Sequence, residues 1–299
     1  VNGLPASVLL YRLMARQIRD GYNTTYPKWI LNQYFGAYYS FVFGRPEEFV
    51  MDFKTASGEG YQRRVRALSK DSIAYFQRSR YGAEELWGRG IVLEEKGGGT
   101  AVLTIRSFNP DILSSTYGQE YRQTIDSLFR LLELHKVSNL ILDVRNNQGG
   151  DFPPMRYLLS YLVLRPVRCI LGGEESRMVK PAAHCYKGKL WVLINGGSYS
   201  ATAITAAVLQ KEGRARFIGE ETGGNKYEIS GNPEELILPR TKIRCYIATV
   251  IYKITSGKNN GHGVYPDYFV APEAEDIEKK KDRPMEMAMR LIQDRAGSF

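Results

Sequence analysis

The sequence predicts an α/β protein, and three observations carry that expectation. Leu140-Ile-Leu-Asp-Val144 is apolar on both of its faces, the pattern of a central strand covered by helices on either side. From Thr100 onward strand-like and helix-like segments alternate, as in a layered sheet with crossover helices. The 43% apolar content of the 299 residues suffices for a sizeable core without staples. Cys169, Cys185 and Cys245 are too few and too scattered for a disulfide framework, and none has metal-binding spacing.

Taken in order, residues 7–20 place apolar side chains at helical spacing after a Ser7 N-cap, with Gly21 as the stop. A second helix is expected over 27–43, its Tyr and Phe stripe serving core packing. Alternating segments at 48–54, 61–67 and 89–95 read as strands, and Lys96-Gly-Gly-Gly99 as a turn. These elements form a small mixed domain over 1–97, and a larger domain covers 98–299. The larger one begins with strand 101–106, helix 117–135, strand 140–144 and helix 153–164. It repeats the unit with strand 189–194, helix 200–211 and strand 217–219. Strands at 236–238 and 243–252 and a helix over 284–294 complete it.

The formal charge of +9 is spread along the chain and interleaved with acids, which argues against a nucleic-acid or other polyanion partner. The one dense block, Glu278-Lys-Lys-Lys-Asp282, reads as a solvated helix face. No apolar run approaches the length of a membrane span. Gly97 to Gly99 lack the Lys-Ser/Thr of a phosphate-binding loop, and no cofactor or metal is implied.

Two segments place small and polar residues at the C-terminal end of a buried strand, where open α/β sheets put their sites. They are Asp143-Val-Arg-Asn-Asn-Gln-Gly-Gly150 and Asn195-Gly-Gly-Ser-Tyr-Ser-Ala-Thr-Ala203. In the second, the Ser200 hydroxyl lies at a strand-to-helix turn and the Ala201 amide at the helix N-terminus, where it can stabilise an oxyanion. In the first, Gly149 and Gly150 permit backbone conformations that bring a second amide to the same point. A hydroxyl with two convergent amides is the electrostatic half of an acyl-transfer site.

With Arg214-Ala-Arg-Phe-Ile-Gly-Glu-Glu-Thr-Gly-Gly-Asn225 and Gly263-Val-Tyr-Pro-Asp267, these stretches resemble, in order and spacing over roughly 100–270, the C-terminal processing (tail-specific) proteases. The resemblance implies a crotonase/Clp-protease-like ββα spiral core. The N-terminal region is then the remnant of a PDZ-like and helical portion. It implies a serine endopeptidase acting on exposed or unfolded polypeptide segments, with Ser200 as nucleophile. Asn147, Gly197, Ser198, Thr222 and Gly223 are the expected substrate-binding positions, and Ser198 is also expected to support the turn. Relatives of this kind act in the cell envelope, periplasmic or lipid-anchored, or outside the cell, and the parent protein is expected there. A catalytically silent peptide- or apolar-ligand-binding relative is the alternative.

A serine hydroxyl needs a base to take its proton. One branch of the resembled family places a lysine 25 positions after the serine, and here that position is Asn225. Lys226 follows one residue later, where alternation would normally point its side chain away; a loop can absorb that offset, so Lys226 stays a candidate base, one that needs burial to depress its pKa. The other branch, similar to the tricorn core and retinoid-binding-protein repeats, uses a histidine from an upstream Asp-Gly-His, and Thr222-Gly-Gly-Asn225 looks more like that branch. No histidine precedes His135. Val1-Asn-Gly-Leu-Pro-Ala6 resembles the end of a PDZ-like segment, so the base is expected on a missing N-terminal portion and these residues alone are expected to show little or no peptidase activity. Of the histidines present, His135 and His184 read as surface residues. His262 lies where that branch supplies an orienting acid, which Asn259 and Asn260 replace, and it is the remaining candidate participant.

Overall fold

The computed structural model describes residues 1–55, 57–81 and 90–296, which divide into two compact units. Residues 1–18 and 27–89 form the first, and 19–26 with 90–299 the second.

The first unit contains α1 (Ala6–Met14), most of α2 (Thr25–Phe43), the antiparallel hairpin β1 (Glu48–Lys54) and β2 (Gly60–Arg66), and α3 (Lys70–Tyr81). Leu9 and Leu13 of α1 meet Leu31 and Tyr39 of α2 in a small core. Asn2 ties the N-terminus to β1 by exchanging hydrogen bonds with Val50. Helix α1 is shorter than its periodicity suggests and is capped by Pro5 rather than Ser7. Arg16 and Gln17 donate to the carbonyls of Leu13 and Met14, tightening the last turn and releasing the chain before Asp20. Helix α2 kinks at Tyr34, whose φ of -128° is not helical. Residue 89, the expected start of a strand, lies outside the described residues.

The second unit begins with β3 (Ile91–Gly97) and β4 (Thr100–Ile105), followed by α4 (Pro110–Tyr117), α5 (Tyr121–Leu134), β5 (Asn139–Asp143) and α6 (Phe152–Leu162). The short pair β6 (Val167–Arg168) and β7 (Met178–Val179) precedes β8 (Lys189–Ile194), α7 (Ala201–Lys211) and β9 (Ala215–Gly219). Next comes a long hairpin, β10 (Glu228–Ile237) and β11 (Arg244–Lys253), and the chain closes with β12 (Tyr268–Phe269), α8 (Ala274–Lys279) and α9 (Arg283–Ala296). Six strands form one sheet in the order β12-β9-β8-β5-β4-β3, parallel except for the β3–β4 pair.

Side chains alternate across this sheet as the pleat requires. Leu140 and Leu142 of β5 and Leu190, Val192 and Ile194 of β8 join a large core with Ile125 and Phe129 of α5, Leu158 and Leu159 of α6, and Ile204 and Val208 of α7. Ile141, Trp191 and Leu193 face the opposite way, onto Ala288 and Ile292 of α9. The run Leu140 to Leu142 is therefore apolar throughout because both of its faces are covered, and the α/β class is the one observed.

Three sequence readings change. Strand β3, expected in the N-terminal domain, is the edge of the main sheet. The helix expected over 117–135 is α5, which starts at Tyr121; Gly118, in the left-handed region at φ 63°, ends a separate helix before it, α4, that the sequence reading did not include. Helix α4 carries the signature of Asn109 as N-cap, accepting from the Ile112 amide, with Pro110 at the first position. The strands expected around 236–238 and 243–252 are present and pair with each other as a two-stranded ribbon, the first of them already beginning at Glu228.

Candidate active site

Strands β5 and β8 are parallel neighbours, so the turns that leave their C-terminal ends lie side by side. Each turn is stitched to the other. Ser198 donates from Oγ to the Val144 carbonyl at 2.9 Å, and the Tyr199 amide donates to the Asn147 carbonyl at 3.1 Å. Asn146 and Asn195 complete the seam, the Asn146 amide reaching Asn195 Oδ1 at 3.0 Å and Asn195 Nδ2 reaching Asn146 Oδ1 at 2.9 Å. Below the turn, Arg145 forks onto Asp143 and onto Asp282, so the buried carboxylate at the end of β5 is paired on a planar guanidinium. Those two carboxylates hold the Arg145 guanidinium charged, above its ordinary range, against the opposing effect of burial.

Ser200 stands where β8 gives way to α7. Its backbone has φ 53° and ψ -124°, a conformation that L-residues other than glycine rarely adopt and that costs on the order of 1–3 kcal/mol. Such a sharp strand-to-helix turn holds the side chain out of the helix that follows. Ser200 is half-buried, and its Oγ has no hydrogen-bond partner among the described residues. Gly149 lies directly against it. A Cβ at Gly149, whose φ is +96°, would fall 2.8 Å from Ser200 Cβ, the Ala201 amide nitrogen and the Tyr199 carbonyl oxygen.

The amides around this point divide clearly. The Ala201 and Gly150 N–H groups have no partner among the described residues. The Gly149 N–H donates to Asn147 Oδ1 at 2.8 Å, which corrects its expected role as an oxyanion donor and makes it a packing residue. The five expected substrate-binding positions are also buried. Asn147 donates from Nδ2 to the Ile105 carbonyl, and Thr222 Oγ1 donates to the Gly224 carbonyl and accepts the Val264 amide. Gly197 donates its amide to Asn195 Oδ1, and Gly223 abuts the Gly196 carbonyl too closely for any side chain. With Ser198, these residues build the turns rather than present side chains to a cleft.

The third motif closes the other side. Gly224 approaches so near that a Cβ there would lie 3.1 Å from the Ser200 amide nitrogen and 2.7 Å from Ala203 Cβ. The Gly263-Val264 stretch is pinned to it through the Thr222 and Val264 backbone.

A segment not singled out by sequence, residues 19–26, forms the remaining wall. Asp20 accepts the Asn225 amide on Oδ2 at 3.0 Å and the Tyr199 hydroxyl on Oδ1 at 3.1 Å. Tyr26 stacks on Tyr199 with ring centroids 4.3 Å apart. Asn23 donates from Nδ2 to the Thr222 carbonyl, and Thr25 from Oγ1 to that of Glu221. Burial raises the Asp20 carboxyl above its ordinary value, opposed by the Asn225 amide and the Tyr199 hydroxyl and aided by Glu228. Burial and the neighbouring Asp20 likewise raise the Tyr199 phenol, so it stays protonated and serves as the donor.

Neither candidate base meets Ser200. Lys226 places Nζ over the Tyr227 ring, 5.2 Å from its centroid, in a recess lined by Ala207, Gln210 and Lys211. Those residues sit in the C-terminal half of α7, about 9–15 Å along the helix from its first residue. His262 engages Glu221 Oε1 through Nδ1 at 3.2 Å and the Tyr265 hydroxyl at 2.8 Å, and buried Glu221 also accepts the Gly263 amide. His135 pairs with Glu95, and His184 with Glu133 at 3.0 Å, both at the surface. Among the described residues no cluster could hold a metal ion, and no helix is long and apolar enough to cross a membrane.

Comparison with known proteins adds the following. Residues 99–270 match the family described as peptidase family S41. A carboxy-terminal processing protease, CtpB of Bacillus subtilis (strain 168), is 26% identical over 117 residues, which are 38% of this chain and 24% of that protein. A chloroplastic carboxyl-terminal-processing peptidase 2 of Arabidopsis thaliana is 29% identical over 120 residues, covering 37% of this chain and 22% of its own length. The chain thus spans about a quarter of the length of the curated relatives it matches. Among solved structures, mature CPAF complexed with lactacystin superposes with a TM-score of 0.67 at 16% identity over 97% of this chain and 75% of that one. A putative peptidase from Parabacteroides merdae ATCC 43184 gives 0.54 at 18% identity over 95% of each chain. At these identities the two structures establish the fold.

Proposed function

This chain belongs to peptidase family S41, and from that premise we propose that it is the catalytic part of a serine endopeptidase cleaving exposed or unfolded polypeptide segments through an acyl-enzyme at Ser200. The observation that carries the reading is the strained backbone of Ser200 beside two open amides. In the proposed reaction Ser200 Oγ bonds to the scissile carbonyl carbon, and the oxygen that becomes negative lies between the Ala201 and Gly150 N–H groups. The Oγ proton passes to a base and then to the departing amine, and water releases the acyl group by the reverse path. Each such N–H donor contributes on the order of 3 kcal/mol to the transition state.

The base in this proposal is a histidine outside these 299 residues. The turning away of Lys226 and the engagement of His262 with Glu221 and Tyr265 support that assignment. A cell-envelope or extracellular location for the parent protein is part of the same proposal, and its likeness to the processing proteases supports it. A second reading, a silent peptide binder, is favoured by the absence of any described partner for Ser200 Oγ. A fluorophosphonate probe separates the two when applied to this chain and to a longer polypeptide carrying the upstream sequence. An adduct on the peptide containing Ser200, lost in Ser200→Ala, supports the peptidase. Failure of both polypeptides to form the adduct leaves the binder.

A further inference from the structure

The β10–β11 ribbon runs ten residues in each strand and belongs to a sheet of its own. Among the described residues it is anchored at its base, by buried Ile229 and Tyr252, by the Phe152 ring against Tyr252 and by the bridge from Leu171 to Lys253. Beyond that base both faces are open to solvent, yet they carry Leu236, Ile237, Ile243, Tyr246, Ile247 and Ile251. Tyr246 and Ile251 are each 65% exposed and Ile243 56%. Ile237 and Tyr246 lie on one face and Leu236, Ile247 and Ile251 on the other, so apolar side chains flank the ribbon's edges on both sides. A lone two-stranded ribbon is also marginal in water unless a further strand or layer covers it.

The two edges of the ribbon differ. Strand β10 carries Pro233, Glu234 and Glu235, the residue types that blunt an edge against pairing. Strand β11 has no proline, and from Cys245 to Tyr252 it has no charge, only β-branched, aromatic and small residues. An antiparallel strand paired with its own copy is self-complementary about a two-fold axis, so such an edge can be satisfied by a second identical chain.

We propose that the β11 edge is a self-association surface, at which two copies of this chain pair arm to arm in a four-stranded antiparallel sheet with Thr249 at the two-fold axis and Ile247 of each copy opposite Ile251 of the other. This assembly does not depend on Ser200 or on the peptidase reading. Sedimentation equilibrium across the micromolar range tests it directly. The wild type should sediment at twice the 33.9 kDa chain mass. Ile247→Lys with Ile251→Lys should weaken the dimer at least tenfold. Ile251→Thr, which keeps the β-branched shape should the lysines disturb folding, should weaken it less. Leu134→Lys, an exposed site on α5, should leave it unchanged. A wild type that remains monomeric throughout overturns the proposal, whether the arm then captures denatured casein, binds lipid vesicles or does neither. A dimer that survives both arm variants with their fold intact also overturns it.

Discussion

Replacing Gly149 by alanine tests the geometry of the nucleophile turn at its tightest point. The new Cβ would sit 2.8 Å from three atoms, two of them backbone and the third Ser200 Cβ, where ordinary contacts begin near 3.4 Å. The backbone there has φ +96°, which an alanine adopts only under strain. Strain of that kind costs about 1 kcal/mol and the overpacking about 2 kcal/mol more, giving ~3 kcal/mol in all. For a domain of 150–250 residues that lowers the midpoint of thermal unfolding by roughly 6–12 °C. Gly97→Ala isolates the first contribution, because its φ is +78° but nothing lies within 4 Å of the added carbon. It should lower the midpoint by only about 2–4 °C. Circular dichroism melts of the two variants, with the rate of fluorophosphonate labelling of each, are the measurements. Labelling should fall in Gly149→Ala and stay unchanged in Gly97→Ala. Equal melting shifts and an unchanged labelling rate for Gly149→Ala would refute the close packing of Gly149 on Ser200.

Ser200→Gly should relieve the strained φ of 53° and stabilise the fold by about 1 kcal/mol while abolishing the adduct; a lower melting temperature would contradict the strain. Lys226→Ala should leave the labelling rate within about twofold, since a general base removed would cost on the order of a hundredfold or more. Asp20 supplies a pH signature. Its carboxyl pKa is raised in the fold by burial, so the folded state holds that proton more tightly than the unfolded chain. The corresponding stability is complete below the unfolded value of about 3.9 and is lost as pH rises through the raised value. Asp20→Asn should therefore gain on the wild type in melting temperature as pH increases over that interval, and a difference independent of pH would sink the assignment.

Those residues also mark how far the sequence could be read. Strands β5 and β8 were legible because burial on both faces suppresses the usual alternation, whereas Lys226 stood as a candidate base and only its contact with the Tyr227 ring removes it. The turn at Ser200 was legible as a strand-to-helix junction rich in small residues. Helix α4 was not read at all, because its eight residues are short for a periodic pattern, although Asn109 and Pro110 announce its start. Asn147, Ser198 and Thr222 show a different limit. A small polar residue beside a site has the same composition whether it touches a ligand or holds up the turn, and only burial and hydrogen-bond direction separate the two roles. The Gly149 amide is a similar case, since its acceptor, Asn147 Oδ1, becomes apparent only once the turn is folded.

Asp20 was illegible for a further reason. Its partners Tyr199 and Asn225 lie 179 and 205 positions away, and nothing local in Arg19-Asp-Gly-Tyr22 points toward them. The chain must bring remote stretches together before these bonds can form, and closing so long a loop is among the slower events available to a folding polypeptide. The proposed nucleophile thus depends on a turn braced by contacts made across most of the length of the chain. A shortened version starting at Gly90 would keep the whole six-stranded sheet and still leave Tyr199 without its carboxylate, so the Ser200 turn and its bracing cannot be excised along a single cut in the sequence.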